Sequence, residues 1–288
     1  HCVWSNTEPE QTGKGTRNLN PPLLINGKYE KVVNGAARIN AFLTEFATRE
    51  RKQPFFIYYP MLLAGVPSAE SKETRPQRSP ENTSLRATNI KRVDQLVGNL
   101  IKAVDNNSLQ DKTIILLTGI NVPAIANETV KRNRDQEHTR ASDRGVRVPL
   151  IVRASKIEDG RRVSRDLIDF TDFYPTFMQL AGIKSPESLV LDGRSFVPSL
   201  RGSEDPYQKR SWIYSQLGGI RMIRDWKHLI DTNGSFHDLL DDPLQQEEVN
   251  PLDKIAPGRR QRLQMILDRF PENAASPFPE YSRRHSSD

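Results

Sequence analysis

The sequence has little cysteine and no long apolar run. Cys2 is the single cysteine among 288 residues, which excludes an internal disulfide framework and a thiolate metal cluster but does not define the redox compartment. No apolar run has the length that a bilayer requires, so no membrane span is predicted. The sequence has no initiator methionine and no charged-then-apolar leader, and it therefore indicates no cellular localisation.

Apolar residues are also sparse, and charge is only moderately one-sided. Hydrophobic residues are 36% of the chain, and 20 prolines outnumber 16 glycines, which predicts extensive polar loops around an ordered core. The 42 Lys+Arg against 36 Asp+Glu give a net charge of +6, which fits either scattered surface charge or attraction to an acidic polymer. Because no aromatic residues alternate with the basic clusters and no nucleic-acid motif is present, nucleic acid is not a predicted partner.

Hydrophobic patterning predicts an α/β domain over residues 1–202. The first 33 residues are predicted to be irregular, and residues 64–85 to be a long polar loop. Helices are predicted at 36–51, 90–104 and 175–182, the last one closing on Gly182. Strands are predicted at 55–59, 113–118 and 148–152. This alternation is typical of a doubly wound, mainly parallel sheet flanked by helices.

The pattern changes after residue 202. Short alternating strands separated by GG and NG turns predict a small antiparallel sheet, followed by an amphipathic helix, over residues 203–270. Three aromatic residues are predicted to form the core of this subdomain: Trp212, Trp226 and Phe236. Residues 271–288 are predicted to be a frayed tail.

Six segments in a fixed order carry a family likeness. They read PFFIYYPMLL, VDQLVGNLIKAVDNNSLQDKTIILLTG, RGVRVPLIV, DFTDFYPTFMQLAG, DGRSFVPSLRG, and WKHLI with FHDLLDDPLQQEE. In this order they resemble the C-terminal portion of the sulfatase family, arylsulfatase type, of the alkaline-phosphatase-like superfamily. The resemblance implies a partial α/β fold of that superfamily and chemistry on sulfate esters.

The resemblance also implies a particular catalytic apparatus. In the family, a cysteine becomes formylglycine, and the hydrated aldehyde attacks sulfur. A calcium ion on carboxylate and amide oxygens neutralises the sulfate, while lysine and histidine side chains grip it. Oxygen ligands suit a hard cation, and preorganised positive groups stabilise developing charge.

Several family positions are altered in this chain. The nucleophile lies in a Cys-x-Pro-x-Arg context, but Cys2 is followed by VWSN, and no Ser-x-Pro-x-Arg is present, so we assign no intact catalytic residue. The calcium-binding Asp-Asn pair corresponds to Ile120 and Asn121. Because isoleucine offers no oxygen, Asn121 is interpreted as a vestigial metal ligand, and we expect the chain to bind no calcium.

Two further residues are candidates for vestigial substrate contacts. His138 occupies the position of the family's sulfate-holding lysine, with an exposed loop histidine as the alternative. Asp143, next to Arg144 and Arg147, is either a remnant of a substrate contact or an ordinary surface ion pair. Asp172 is predicted to cap the following helix.

The sequence therefore predicts a sulfatase-family homologue that is inactive as this chain stands. The alternative is a non-catalytic binder of sulfated or other anionic glycans. The expected partners are a sulfate ester or sulfated glycan and an N-terminal half that completes the sheet, since a strand would otherwise have an unpaired edge.

Overall fold

The computed structural model describes residues 2–4, 22–25, 28–31, 35–49, 54–61, 80–119, 142–155, 162–184, 186, 188–217, 219–243, 245, 248–249 and 257–270. The chain divides into two compact units, His1–Ile114 and Ile115–Asp288. Among the described residues, no helix combines the length and the apolar character that crossing a bilayer requires.

The first unit contains a three-stranded antiparallel sheet. Its strands are β1 (Cys2–Trp4), β2 (Pro22–Ile25) and β3 (Lys28–Lys31), in that order across the sheet. The prediction that the first 33 residues are irregular is therefore wrong for these segments. The sequence did carry a signal, because residues 26 and 27 are Asn-Gly, a pair typical of a tight hairpin turn.

Two helices form the packed part of the first unit. They are α1 (Gly35–Thr48) and α2 (Pro80–Asn106), which pack against each other and bury Leu43 and Val104. Both helices confirm predicted stripes, although α2 begins inside the range that was predicted as a loop. A proline fits the first turn of α2, because an amide hydrogen at that position would have no partner within the helix.

The strand predicted at residues 55–59 is wrong, since residues 54–61 belong to none of the sheets that the described residues form. Phe55 instead packs on α1, with its ring centroid 4.7 Å from that of Phe46 and 6.0 Å from that of Phe42. Tyr58 is 80% exposed. A short apolar run suits either a strand or a segment docked on a helix, so periodicity alone could not distinguish them.

The second unit begins with two strands, β4 (Ile115–Thr118) and β5 (Leu150–Arg153), which pair Ile115 with Arg153 and Thr118 with Leu150. Both strands were predicted, but the pair is antiparallel, and so is every other ladder of the described residues. The expected parallel pairing is therefore wrong for these strands. Apolar runs do not encode strand direction, and outward-facing Ile151 on β5 fits an antiparallel strand with one solvated face.

Of the α-helices described ahead of the C-terminal sheet, α3 (Asp143–Val146) lies between β4 and β5, whereas α4 (Phe173–Leu180) and α5 (Val197–Leu200) follow β5. The predicted end of α4 is confirmed. Gly182 has φ +69°, and its amide donates to the carbonyl of Gln179 at 3.2 Å, while Ile183 donates to Met178 at 2.9 Å. This left-handed turn satisfies the last carbonyls of the helix at a position where glycine has no steric cost.

The predicted C-terminal sheet is confirmed as a four-stranded antiparallel meander of β6 (Ile213–Leu217), β7 (Ile220–Arg224), β8 (His228–Asp231) and β9 (Phe236–Asp238). The predicted helix is α6 (Pro257–Leu267), which packs Leu263 and Leu267 against Ile223, Ile230 and Phe236. Trp212 packs against this core, but Trp226 is 54% exposed, so its predicted core position is wrong. It lies in the turn between β7 and β8, where a side chain can point to solvent.

Candidate functional site

Of the three candidate residues, the described structure contains one. Asn121 and His138 lie outside the described residues, as does Ile120, so their predicted roles stay predictions. Asp143 is the first residue of α3, and the described part of the chain resumes one residue before it, at Ser142. The geometry of the candidate site is therefore the geometry around Asp143.

Asp143 is a buried carboxylate with an arginine partner. Its Oδ1 contacts Nη1 of Arg224 on β7, 81 residues away in sequence, and the two side chains are only 6% and 14% exposed. The Oδ2 atom lies 3.9 Å from Nη1 of Arg147, whose side chain is 74% exposed. The expected pairing with Arg147 is present, but its ordinary surface character is wrong, because Asp143 is buried and its main partner, Arg224, is remote in sequence. A vestigial substrate contact at Asp143 stays a prediction.

Local hydrogen bonds fix the turn that carries Asp143. The side chain of Ser142 caps α3 by accepting from the amide of Gly145 at 3.2 Å, and Arg147 donates its amide to the carbonyl of Asp143 at 2.8 Å. The amide of Asp143 donates to Oε1 of Gln245 at 2.8 Å. A serine cap suits the exposed amides at a helix start, so sequence and tertiary contacts hold the same turn.

Arg224 is itself held by the turn that follows β7. Its Nε donates to the carbonyl of Asp225 at 2.9 Å, and its Nη2 lies 3.5 Å from the carbonyl of Trp226. The planar guanidinium therefore joins a carboxylate on one side to main-chain carbonyls on the other, a geometry that a lysine does not reproduce.

A second buried Asp–Arg pair was missed by the sequence reasoning. Asp172 accepts hydrogen bonds from the amide of Arg194 at 2.7 Å and from Nε of Arg210 at 3.0 Å, and a second bond comes from Nη2 of Arg210. The predicted capping role is wrong in detail. Asp169 caps the turn by accepting from the amide of Thr171 at 2.8 Å, and the amide of Asp169 donates to Oδ2 of Asp172 at 2.8 Å.

A third carboxylate in this region is Asp166, which lies 3.0 Å from Nζ of Lys209. Burial opposes its ionisation, but hydrogen bonds from Ser199, Lys209 and Ser164 and the positive charge of Lys209 together outweigh burial and lower the pKa of Asp166. The three pairs share a pattern, because in each one a carboxylate from residues 143–172 meets a cation from residues 209–224.

The described residues do not fit a calcium site. No three His, Cys, Asp or Glu side chains of the described ranges come together in an arrangement that could hold a metal ion. Asp143, the candidate site residue that the described part of the chain contains, directs both carboxylate oxygens to arginines. Its oxygens are therefore engaged by positive charge and do not form part of an oxygen cage for a cation.

The class of fold follows from comparison with solved structures. A Bacteroides thetaiotaomicron sulfatase, described with the metabolism of multiple glycosaminoglycans, aligns with 81% of this chain and 53% of its own at a TM-score of 0.60 and 19% identity. This likeness confirms a partial α/β fold of the alkaline-phosphatase-like type. The family description Sulfatase matches residues 7–183, more than half of the chain. The chain belongs to the sulfatase family.

Curated relatives agree with this family. The ulvan-active sulfatase of Formosa agariphila is 35% identical over 96 residues, which are 30% of this chain and 18% of that protein. Human arylsulfatase A is 28% identical over 219 residues, which are 70% of this chain and 41% of that protein. In each case the alignment spans less than half of the relative's length, so the activity of a whole sulfatase is not carried over to this chain.

Proposed function

We propose that this chain descends from sulfate-ester hydrolases but does not hydrolyse sulfate esters as it stands. The observation that carries the proposal is the sequence after β4, where Gly119 is followed by Ile120 and Asn121. The family resemblance places a calcium-binding Asp-Asn pair at these two positions. Isoleucine contributes neither an oxygen nor a negative charge, and a divalent hard cation requires several oxygen donors.

The surroundings of Cys2 support the same proposal. Its sequence context, CVWSN, lacks the proline and arginine of the family's formylglycine motif. Residues Cys2–Trp4 form β1, in which Cys2 pairs with Ile25 of β2. This pairing concerns the backbone of Cys2 alone, and the sequence context gives no reason to assign its thiol a nucleophilic role.

The test is an assay of the purified chain with a chromogenic aryl sulfate and added calcium, with an active arylsulfatase as positive control. We expect no turnover above the blank, and reproducible turnover would overturn the proposal. The variant Ile120→Asp examines the metal argument separately. It restores one carboxylate, and we expect tighter calcium binding by calorimetry without turnover; unchanged calcium binding would contradict the role given to position 120.

Helix α6 favours a second candidate, non-catalytic binding of sulfated glycans. The helix contains Arg259, Arg260 and Arg262 and no acidic residue between Pro257 and Leu267. Arg260 is engaged with the carbonyl of Gly234 at 2.8 Å, whereas Arg259 and Arg262 are exposed. Clustered exposed cations attract a polyanion, and this attraction weakens as the salt concentration rises.

Heparin chromatography tests this second candidate. We expect the chain to be retained at low salt, and the double variant Arg259→Ala with Arg262→Ala to elute at lower salt. The variant Gln261→Ala changes an exposed neutral residue of the same helix and serves as the matched control. Absent retention of the unmodified chain, or identical elution of the double variant, would contradict glycan binding through α6.

A further inference from the structure

His228 is a buried histidine at the start of β8. Its side chain is 7% exposed, and its ring stacks on that of Phe236 with the centroids 5.2 Å apart. Among the described residues, its Nδ1 atom is buried and accepts or donates no hydrogen bond. A buried polar nitrogen without a partner costs free energy, so packing alone does not account for a histidine at this position.

Two carboxylates face the two ring nitrogens of His228. The Nδ1 atom lies 3.8 Å from Oδ1 of Asp225, and the Nε2 atom lies 3.7 Å from Oδ2 of Asp238. Both distances are too long for a hydrogen bond but are within the range of an ion pair. Burial lowers the pKa of His228 although both carboxylates act in the opposite direction. The ring is therefore neutral near pH 7, and it gains two counter-ions when it is protonated.

The carboxylate of Asp238 already has a cation. Its Oδ2 atom lies 3.0 Å from Nζ of Lys227, whose side chain is 28% exposed. Protonated His228 therefore competes with Lys227 for the same carboxylate oxygen. The lysine can move into solvent because its ammonium group is carried on a flexible stem. The backbone of the turn can stay in place, since the amides of Lys227 and His228 donate to Oδ1 of Asp225 at 2.8 Å and 2.7 Å.

Helix α6 brings further positive charge close to the same histidine. The charge of the exposed Arg259 is near enough to lower the pKa of His228, as is the charge of Lys227. Arg260 lies over the ring of Phe236, with its Cζ atom 5.9 Å from the centroid. The charged groups around the imidazole therefore come from three elements. They are Asp225 and Lys227 of the turn between β7 and β8, Asp238 of β9, and Arg259 and Arg260 of α6.

We propose that protonation of His228 strengthens the binding of a sulfated glycan to the exposed cations of α6. The inference rests on the glycan binding proposed above as the second candidate function, and it adds regulation of that surface by pH. The imidazolium adds one positive charge close to Arg259, and its pairing with Asp238 frees Lys227 to contact the glycan. Sulfate esters stay ionised between pH 7 and pH 5, so the change in charge comes from the protein. Binding therefore increases as the pH falls below about 6.5.

Calorimetry with a heparin-derived oligosaccharide, at pH 7.5 and pH 5.0 and constant ionic strength, tests the inference on the full chain. We expect the dissociation constant to be about threefold lower at pH 5.0, because a single added charge and a single released lysine each contribute a modest attraction. His228→Gln cannot gain the charge and is expected to lose this difference. His237→Gln replaces another buried histidine of the same sheet, and as the matched control it is expected to keep the difference.

The outcomes separate this inference from the glycan-binding candidate. Absent binding at both pH values would contradict glycan binding and the inference together. Binding of equal strength at both pH values, or the same gain at pH 5.0 in His228→Gln, would overturn the inference alone.

Two further measurements keep the inference testable if His228→Gln does not fold. Lys227→Gln removes the lysine that protonation is proposed to release, so we expect it to show a smaller gain at pH 5.0; an unreduced gain would contradict the release of Lys227. Because coupling is reciprocal, bound oligosaccharide is also expected to raise the pKa of His228 in an NMR titration of the histidine side chains. An identical titration of His228 with and without oligosaccharide would overturn the inference.

Discussion

Removal of the buried Asp172 carboxylate is expected to destabilise the second unit strongly. The side chains of Asp172 and Arg210 are 2% and 11% exposed. Breaking a buried ion pair by removing one partner costs about 3–5 kcal/mol, since the remaining charge stays buried. We therefore expect Asp172→Ala to lower the free energy of unfolding by about 4 kcal/mol, a large part of the stability of an ordinary domain.

The hydrogen bonds around Asp172 explain why the expected loss of stability lies at the upper end of the range for point mutations. The carboxylate serves two backbone amides, those of Asp169 and Arg194, in addition to the guanidinium of Arg210. Alanine would leave all three donors without this acceptor. Asp172→Asn keeps the volume and one acceptor oxygen, so we expect it to fold and to lose about 2 kcal/mol.

Urea unfolding, followed by far-UV circular dichroism and tryptophan fluorescence, measures these changes. For an m-value of about 2 kcal/mol/M, the Asp172→Ala midpoint falls by about 2 M. Asp241→Asn, an exposed turn residue, is the control and is expected to change stability by less than about 0.5 kcal/mol. Adding Arg210→Met to Asp172→Ala removes the stranded charge and is expected to recover part of the loss. A loss below about 1 kcal/mol in Asp172→Ala, or a double variant with fully additive losses, would refute the reasoning.

Three further predictions concern single positions. Burial lowers the pKa of His228 below 6.5 despite two nearby carboxylates. As the pH falls, the histidine is therefore protonated in the unfolded chain before it is protonated in the folded chain. The free energy of unfolding decreases as the pH drops below about 6.5, until the pH passes the folded-state pKa. His228→Phe is expected to flatten this decline in urea midpoints between pH 7 and pH 5, and an unchanged slope would contradict it. A Cβ at Gly193 would lie 1.9 Å from the carbonyl oxygen of Thr171, so Gly193→Ala is expected to lower the free energy of unfolding by about 3 kcal/mol. The control is Gly258→Ala, whose Cβ would meet no atom within 4 Å, and it is expected to be neutral in the same urea titration. Tyr58 is 80% exposed, so Tyr58→Lys is expected to change the free energy of unfolding by less than about 0.5 kcal/mol in the same urea titration; a larger loss would contradict its exposed position.

Local chemistry made much of the fold predictable from the sequence. The left-handed glycine that ends α4, the turns of the C-terminal meander and the apolar stripe of α6 depend on neighbouring residues alone. Strand pairing depends on which distant segment supplies the partner, so the antiparallel pairing of β4 with β5 was missed. The docking of Phe55 on α1 was missed for the same reason.

The candidate site was predictable only in part. The resemblance led to Asp143, but its partner lies 81 residues away, and nothing near Arg224 in the sequence marks it as an ion-pair donor. The same holds for Asp172 and Arg210, which are 38 residues apart. Local patterns identify residues that favour turns and caps, whereas a buried ion pair becomes visible only when the fold brings two remote charges together.

The carboxylate–cation pairs that join residues 143–172 to residues 209–224 limit how this protein can be rearranged. A cut near residue 203 would separate each acid from its counter-charge and give both pieces a buried ion with no neutralising neighbour. Recombination that exchanged residues 203–270 alone would have to bring a matching lysine and two matching arginines with it. The two parts are therefore expected to be inherited and replaced together, however freely their surface residues diverge.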